Sequence, residues 1–115
     1  MSQPEAAAAR AEQTCVEKLS RLFPRVSPLR IPVQVEPMTG GRRRMREHTV
    51  IEFGTAREVL FASTLPLEFE DRVRLVNTDG SFDARATVVA VRYHSGSKAV
   101  AARFLDRVEN WIIQP

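Results

Sequence analysis

Hydrophobic and polar positions along this chain change period near residue 25. From Pro4 to Leu22 the apolar positions Ala8, Ala11, Cys15, Leu19 and Leu22 recur at threes and fours, the spacing of a helix with one narrow stripe. Proline at the start, a run of alanines, and acidic residues ahead of Lys18 and Arg21 agree with helix propensity and dipole. That stripe either packs on the rest of the chain or pairs with a second copy. Beyond it the period becomes two. Leu29, Ile31, Val33 and Val35 alternate with Arg30, Pro32, Gln34 and Glu36, a half-buried strand whose Pro32 asks for an edge or a bulge.

Further strands are predicted over Met45–Phe53, from Val59, over Arg72–Asn77, Phe82–Tyr93 and Ala99–Leu105. Turn signals separate them: Pro37 to Gly41, Gly54 to Ala56, Thr78 to Ser81, and His94 to Ser97. In the second strand His48, Val50 and Glu52 share one face and Thr49, Ile51 and Phe53 the other. In the fifth, Ala84, Ala86, Val88, Ala90 and Arg92 face one way; Phe82, Arg85, Thr87, Val89, Val91 and Tyr93 face the other. Leu65 to Asp71 reads as a loop with apolar anchors, and Val108 to Ile113 as a short apolar tail carrying Trp111. The fold class that follows is mainly β, a small six-stranded antiparallel barrel preceded by an N-terminal α-helix. Residues 1–20 form the helical extension and 21–115 the barrel.

Composition narrows function mostly by exclusion. The 115 residues are 43% hydrophobic and 27% charged, which suits one domain with a modest core. No apolar run approaches a membrane span, and the start lacks the basic and apolar regions of a secretory signal, so the expected location is cytoplasmic without membrane insertion. The lone cysteine, Cys15, and two separated histidines, His48 and His94, provide no metal-ligand set. No nucleophile–base pair or glycine-rich phosphate loop stands out, so neither an enzyme nor a resident cofactor is expected. The aromatics are spread one per element, as in a core, which makes nucleic acid an unfavoured partner.

Charge adds one positive feature. Of the 17 cationic residues only two are lysines, and Arg42, Arg43, Arg44 and Arg46 form a local basic patch. Arg21 and Arg25 lie four apart where the helical pattern ends, and Pro24 holds the segment extended. They are either surface charges on a linker or an anion clamp, since each guanidinium can grip a phosphate on two edges.

The order of these parts resembles the PilZ domain family. The resemblance rests on Arg21-x-x-x-Arg25 ahead of Pro28-Leu29-Arg30-Ile31-Pro32-Val33, on Leu60 to Ser63, on Leu65-Pro66-Leu67 and Val73-Arg74-Leu75. It extends to Ala84 to Val89 and to a last strand of Val100 to Leu105. It implies a six-stranded barrel acting as a bacterial signalling adaptor. In that role it binds cyclic di-GMP through Arg21 and Arg25 and relays the signal to an unidentified protein partner. The family's second motif, [Asp/Asn]-x-Ser-x-x-Gly, aligns with Phe53 to Glu58. Thr55 keeps the hydroxyl there, Phe53 replaces the acceptor and Glu58 replaces the glycine. Two alternatives stand beside this expectation: a degenerate interaction module that does not bind the nucleotide, and a small basic barrel on nucleic acid. A homodimer through the N-terminal helix is compatible with any of them.

Overall fold

The computed structural model describes residues 14–38, 45–94, 96–108 and 110–114. Among the described residues, a helix, α1 (Cys15–Ser20), is followed by β1 (Ser27–Pro37), β2 (Glu47–Gly54), β3 (Glu58–Ser63), β4 (Arg72–Asn77), β5 (Asp83–His94) and β6 (Ser97–Phe104). The strands close into a barrel in the order β1-β2-β3-β6-β5-β4, with every neighbouring pair antiparallel and β4 returning to β1. The mainly β, six-stranded architecture expected from the alternation is therefore present. Closure leaves no free edge, and each polar backbone row finds a partner strand.

Alternating side chains fill the barrel. Val33, Val35, Ile51, Val59, Phe61, Val73, Leu75, Ala84, Ala86, Val88, Val100 and Ala102 belong to one buried cluster, closed at one end by Phe82 and Trp111. A second cluster lies outside the wall, where Cys15, Val16 and Leu19 of α1 cover Leu60, Ala99 and Ala101. Two-sided burial explains why Val59-Leu60-Phe61 and Lys98 to Ala102 are continuously buried rather than alternating. Alanines on the outer face of β6 let the helix lie close against the sheet. The helix stripe is therefore occupied by the chain's own barrel.

Several boundaries and faces differ from the sequence expectation. The expected helix from Pro4 to Leu22 is interrupted at Thr14, whose backbone is extended (φ −62°, ψ 152°) and whose hydroxyl accepts from Glu17 N at 3.0 Å. Thr14-x-x-Glu17 is the spacing of an N-cap signal, and it starts α1 at Cys15. Residues 1–13, including Ala8 and Ala11, lie outside the described residues. At the other end Leu22 is 67% exposed and does not join the stripe.

Bulges account for the faces. A register shift between Ile51 and Phe53 puts Ile51 inside the barrel and Phe53 outside under α1, although strict alternation placed them together. Phe82 shares the interior with Ala84, Ala86 and Val88, not the opposite face. The irregularity between Val88 and Ala90 then turns Val91 inward and Val89 and Ala90 toward α1. Pro32 sits just past a shift between Pro28 and Ile31, and pairing of β1 with β4 begins only at Val33, so it has a strand on one side. In the loop before β4, Leu65 and Leu67 are buried anchors, but Phe69 is 64% exposed.

The helix is tied to the barrel by a Thr14 Oγ1 to Glu52 Oε1 hydrogen bond of 3.4 Å and by Cys15 Sγ donating to Arg92 O at 3.2 Å. Glu52 titrates higher than an ordinary glutamate, chiefly because burial disfavours its charge; the Thr14 bond pulls the other way and nearby Glu17 adds to the rise. A carboxyl raised on folding binds its proton more readily in the folded state, so ionisation weakens that state as pH rises through the raised pKa. Glu52→Gln, which still accepts from Thr14, is expected to be more stable than wild type at neutral pH. The advantage should vanish below about pH 4, where both forms are neutral. Urea titrations at several pH values check this; a pH-independent difference would refute it.

Candidate functional site

The segment between α1 and β1 is built by a failing helix. Arg21 is the C-cap of α1, and Leu22 N and Phe23 N still reach back to Leu19 O and Ser20 O at 3.0 and 3.1 Å before Pro24 ends the helical turn. Phe23 is half-buried against the outer cluster, which pins the segment while Arg21 and Arg25 on either side remain exposed. Arg25 has a positive φ of 63°, an uncommon left-handed conformation for a side-chain-bearing residue. It makes no hydrogen bond or ion pair among the described residues, whereas Arg21 has an interaction of its own.

Strand register decides what this linker faces. β1 begins with Ser27 opposite Gly54 and Pro28 opposite Phe53. The exit of the arginine segment therefore lies beside the β2–β3 turn that carries Thr55.

Thr55 itself is committed to the turn. Its Oγ1 accepts from Arg57 N at 3.1 Å and Glu58 N at 2.9 Å and donates to Glu58 Oε1 at 2.5 Å, and its N donates to Glu58 O at 2.9 Å. Trp111 Nε1 donates to Thr55 O at 2.7 Å, locking the turn to the C-terminal segment. Glu58 Oε2 accepts from Arg103 Nε and Nη2 at 3.1 and 2.9 Å. The Glu58 carboxylate is thus paired with a cross-strand partner, Arg103 opposite Glu58 in the β3–β6 register. Phe53 is half-buried in the cluster under α1, and its ring offers no hydrogen-bond acceptor.

The secondary basic patch is only partly described. Arg42, Arg43 and Arg44 lie outside the described residues; Arg46 is exposed and 3.8 Å from Glu36. With His48, Arg74 and Asn77 it lines an open depression of about 620 Å³ across β2, β1 and β4. A second depression of about 460 Å³ lies between the β2–β3 turn and the C-terminal segment, with Arg57, Arg103 and Arg107 around Phe104, Val108 and Ile113. Neither depression is lined by Arg21, Arg25 or Thr55. The 460 Å³ groove was not legible in the chain, because Arg57 and Arg107 are far apart in sequence and meet only through the β3–β6 register.

His48 and His94 are exposed. Among the described residues no group of three His, Cys, Asp or Glu side chains stands where it could hold a metal ion. No described helix is long and apolar enough to cross a membrane. No known protein-family model matches the chain, and no curated protein sequence does either.

Proposed function

We propose that this chain is a PilZ-like signalling module that takes cyclic di-GMP on the Arg21–Arg25 linker and passes the binding event to a protein partner. It acts as a cytoplasmic adaptor without catalysis. The observation that supports the reading is the register of Ser27 against Gly54, which brings the end of the linker that carries the exposed Arg21 and Arg25 beside the β2–β3 turn. Phosphates are gripped by the two guanidinium forks, and Arg25, with no other partner among the described residues, is available to move onto a ligand. Ordering of this short segment around the ligand is the switch.

A second reading has its own observation. The hydroxyl of Thr55 and the carboxylate of Glu58 are used inside the turn, and Phe53 lies under α1, so the base-reading half of such a site is spent on folding. On that reading the barrel is an interaction module that works without the nucleotide. A basic barrel on nucleic acid has only the arginine patch behind it.

Calorimetry with cyclic di-GMP separates the first two. Wild type is expected to bind, and Arg21→Ala/Arg25→Ala to bind at least about tenfold more weakly, since each lost charged contact is worth on the order of 1.5–3 kcal/mol. No heat from wild type at about 100 μM ligand selects the nucleotide-independent module.

A further inference from the structure

The groove between the β2–β3 turn and the C-terminal segment combines features that a mere surface dip lacks. Its apolar wall is rigid. Phe104 meets Trp111 edge-on at 5.3 Å and Phe82 at 6.0 Å, and its N donates to Arg57 O at 2.8 Å. Val108 and Ile113 complete that wall as partly buried side chains packed on the barrel core.

Its charges do not cancel. Asp106 lies in the lining but is held by Arg85 Nη2 at 2.8 Å, and Arg103 is held by Glu58. Arg57 and Arg107 make no side-chain hydrogen bond or ion pair among the described residues. Two guanidiniums without an ion-pair partner among the described residues therefore flank an apolar trough of about 460 Å³, within the roughly 300–1,000 Å³ range of ligand sites.

We propose that this groove docks an acidic segment of a partner protein, with two carboxylates on Arg57 and Arg107 and an aliphatic side chain between them on Phe104, Val108 and Ile113. Guanidinium forks match carboxylates in pairs, and the apolar wall gives the contact a component that charge alone lacks. A nucleic-acid backbone would use the arginines but leave the aliphatic wall uncovered. Because the groove is pre-formed, little ordering entropy opposes docking on this side. The inference assigns a surface and a chemistry to the protein partner of the reading above, and it does not depend on nucleotide capture by Arg21 and Arg25.

The test uses the full chain and a fluorescein-labelled hexapeptide, Glu-Leu-Asp-Glu-Leu-Asp, in anisotropy titrations. Saturable binding is expected with a Kd of tens of micromolar, about tenfold or more weaker for Arg57→Glu/Arg107→Glu and for a peptide with serine in place of leucine. Both substitutions are at exposed positions, and a thermal melt verifies that the variant is folded. Amide shift mapping on wild type should place the peptide at residues 56–57, 103–108 and 113. The proposal is overturned by absence of binding at about 1 mM peptide, by indifference to either substitution, or by shifts centred on Arg21 and Arg25. Equal competition by a thymidine oligonucleotide overturns it as well.

Discussion

Trp111→Ala is expected to lower stability by about 3–5 kcal/mol, the range for removing a large buried aromatic side chain. The indole is 3% exposed and sits between Phe82 and Phe104, each at a centroid distance of 5.3 Å. Alanine leaves a void at one end of the barrel too large for neighbouring side chains to fill. It also leaves Thr55 O without its 2.7 Å donor at the turn that links β2 to β3. Trp111→Phe separates the two contributions. It keeps most of the ring packing and loses only the hydrogen bond, at a cost of about 1–3 kcal/mol. Urea denaturation of both variants gives the comparison. Equal stability of Trp111→Ala and wild type would mean that the tail is not part of the fold. Amide exchange at residues 55–58 should rise in both variants, because both release the turn.

Gly54→Ala is the second large effect, and it comes from the same packing. A Cβ added there would lie 2.8 Å from Leu29 Cδ1 and 2.8 Å from Trp111 Cζ2, with Glu58 O at 3.3 Å. The leucine tip can rotate away, but the indole ring is wedged and the carbonyl belongs to the β3 backbone. A loss of about 1–3 kcal/mol follows from overpacking. The two substitutions should not add. In the Trp111→Ala background the clash with Cζ2 is gone, so Gly54→Ala should cost markedly less than it does alone. Full additivity in a double-mutant cycle would show that the indole is not what excludes the methyl group.

These effects bear on function because Trp111 and Gly54 hold the turn on which both readings of the site depend. Thr55 and Glu58 are bonded within it, and Arg57 projects from it into the groove. A mutation that loosens the turn is expected to weaken peptide docking through Arg57. Its effect on Arg21 and Arg25 would pass through the Ser27–Gly54 pairing and the outer cluster that Phe23 and Phe53 share. Measuring the two affinities side by side in Trp111→Phe tells the surfaces apart.

How much of this was legible in the chain depends on whether a feature is local. Alternation in β1, β4 and the first half of β5, with Thr78 to Ser81 as a turn, determined a mainly β chain of short antiparallel strands. In that turn Phe82 N donates to Asn77 Oδ1 at 2.9 Å, and Gly80 takes the positive φ of 76° that a side chain would resist. The lone cysteine in a helix stripe and Trp111 in an apolar tail also followed from local pattern, and both are buried. The start of α1 was signalled by Thr14 and Glu17, yet helix propensity upstream masked it.

Other features needed the folded chain. The bulges after Ile51 and Val88 have no marker residue between the positions where the register shifts; closing a six-stranded barrel imposes that curvature. Continuous burial in β3 and β6 arises because α1 returns over the outer wall. For the candidate site, sequence alone placed Arg21 and Arg25 ahead of β1 and Thr55 at the β2–β3 turn, since both positions follow from order along the chain. Only tertiary structure decided that the Thr55 hydroxyl is spent within its turn, that Glu58 is neutralised by Arg103, and that Arg57 meets Arg107 across an apolar groove. Each of those depends on which residues the β3–β6 register and the tail bring together, and register is a property of the closed sheet, not of any one strand.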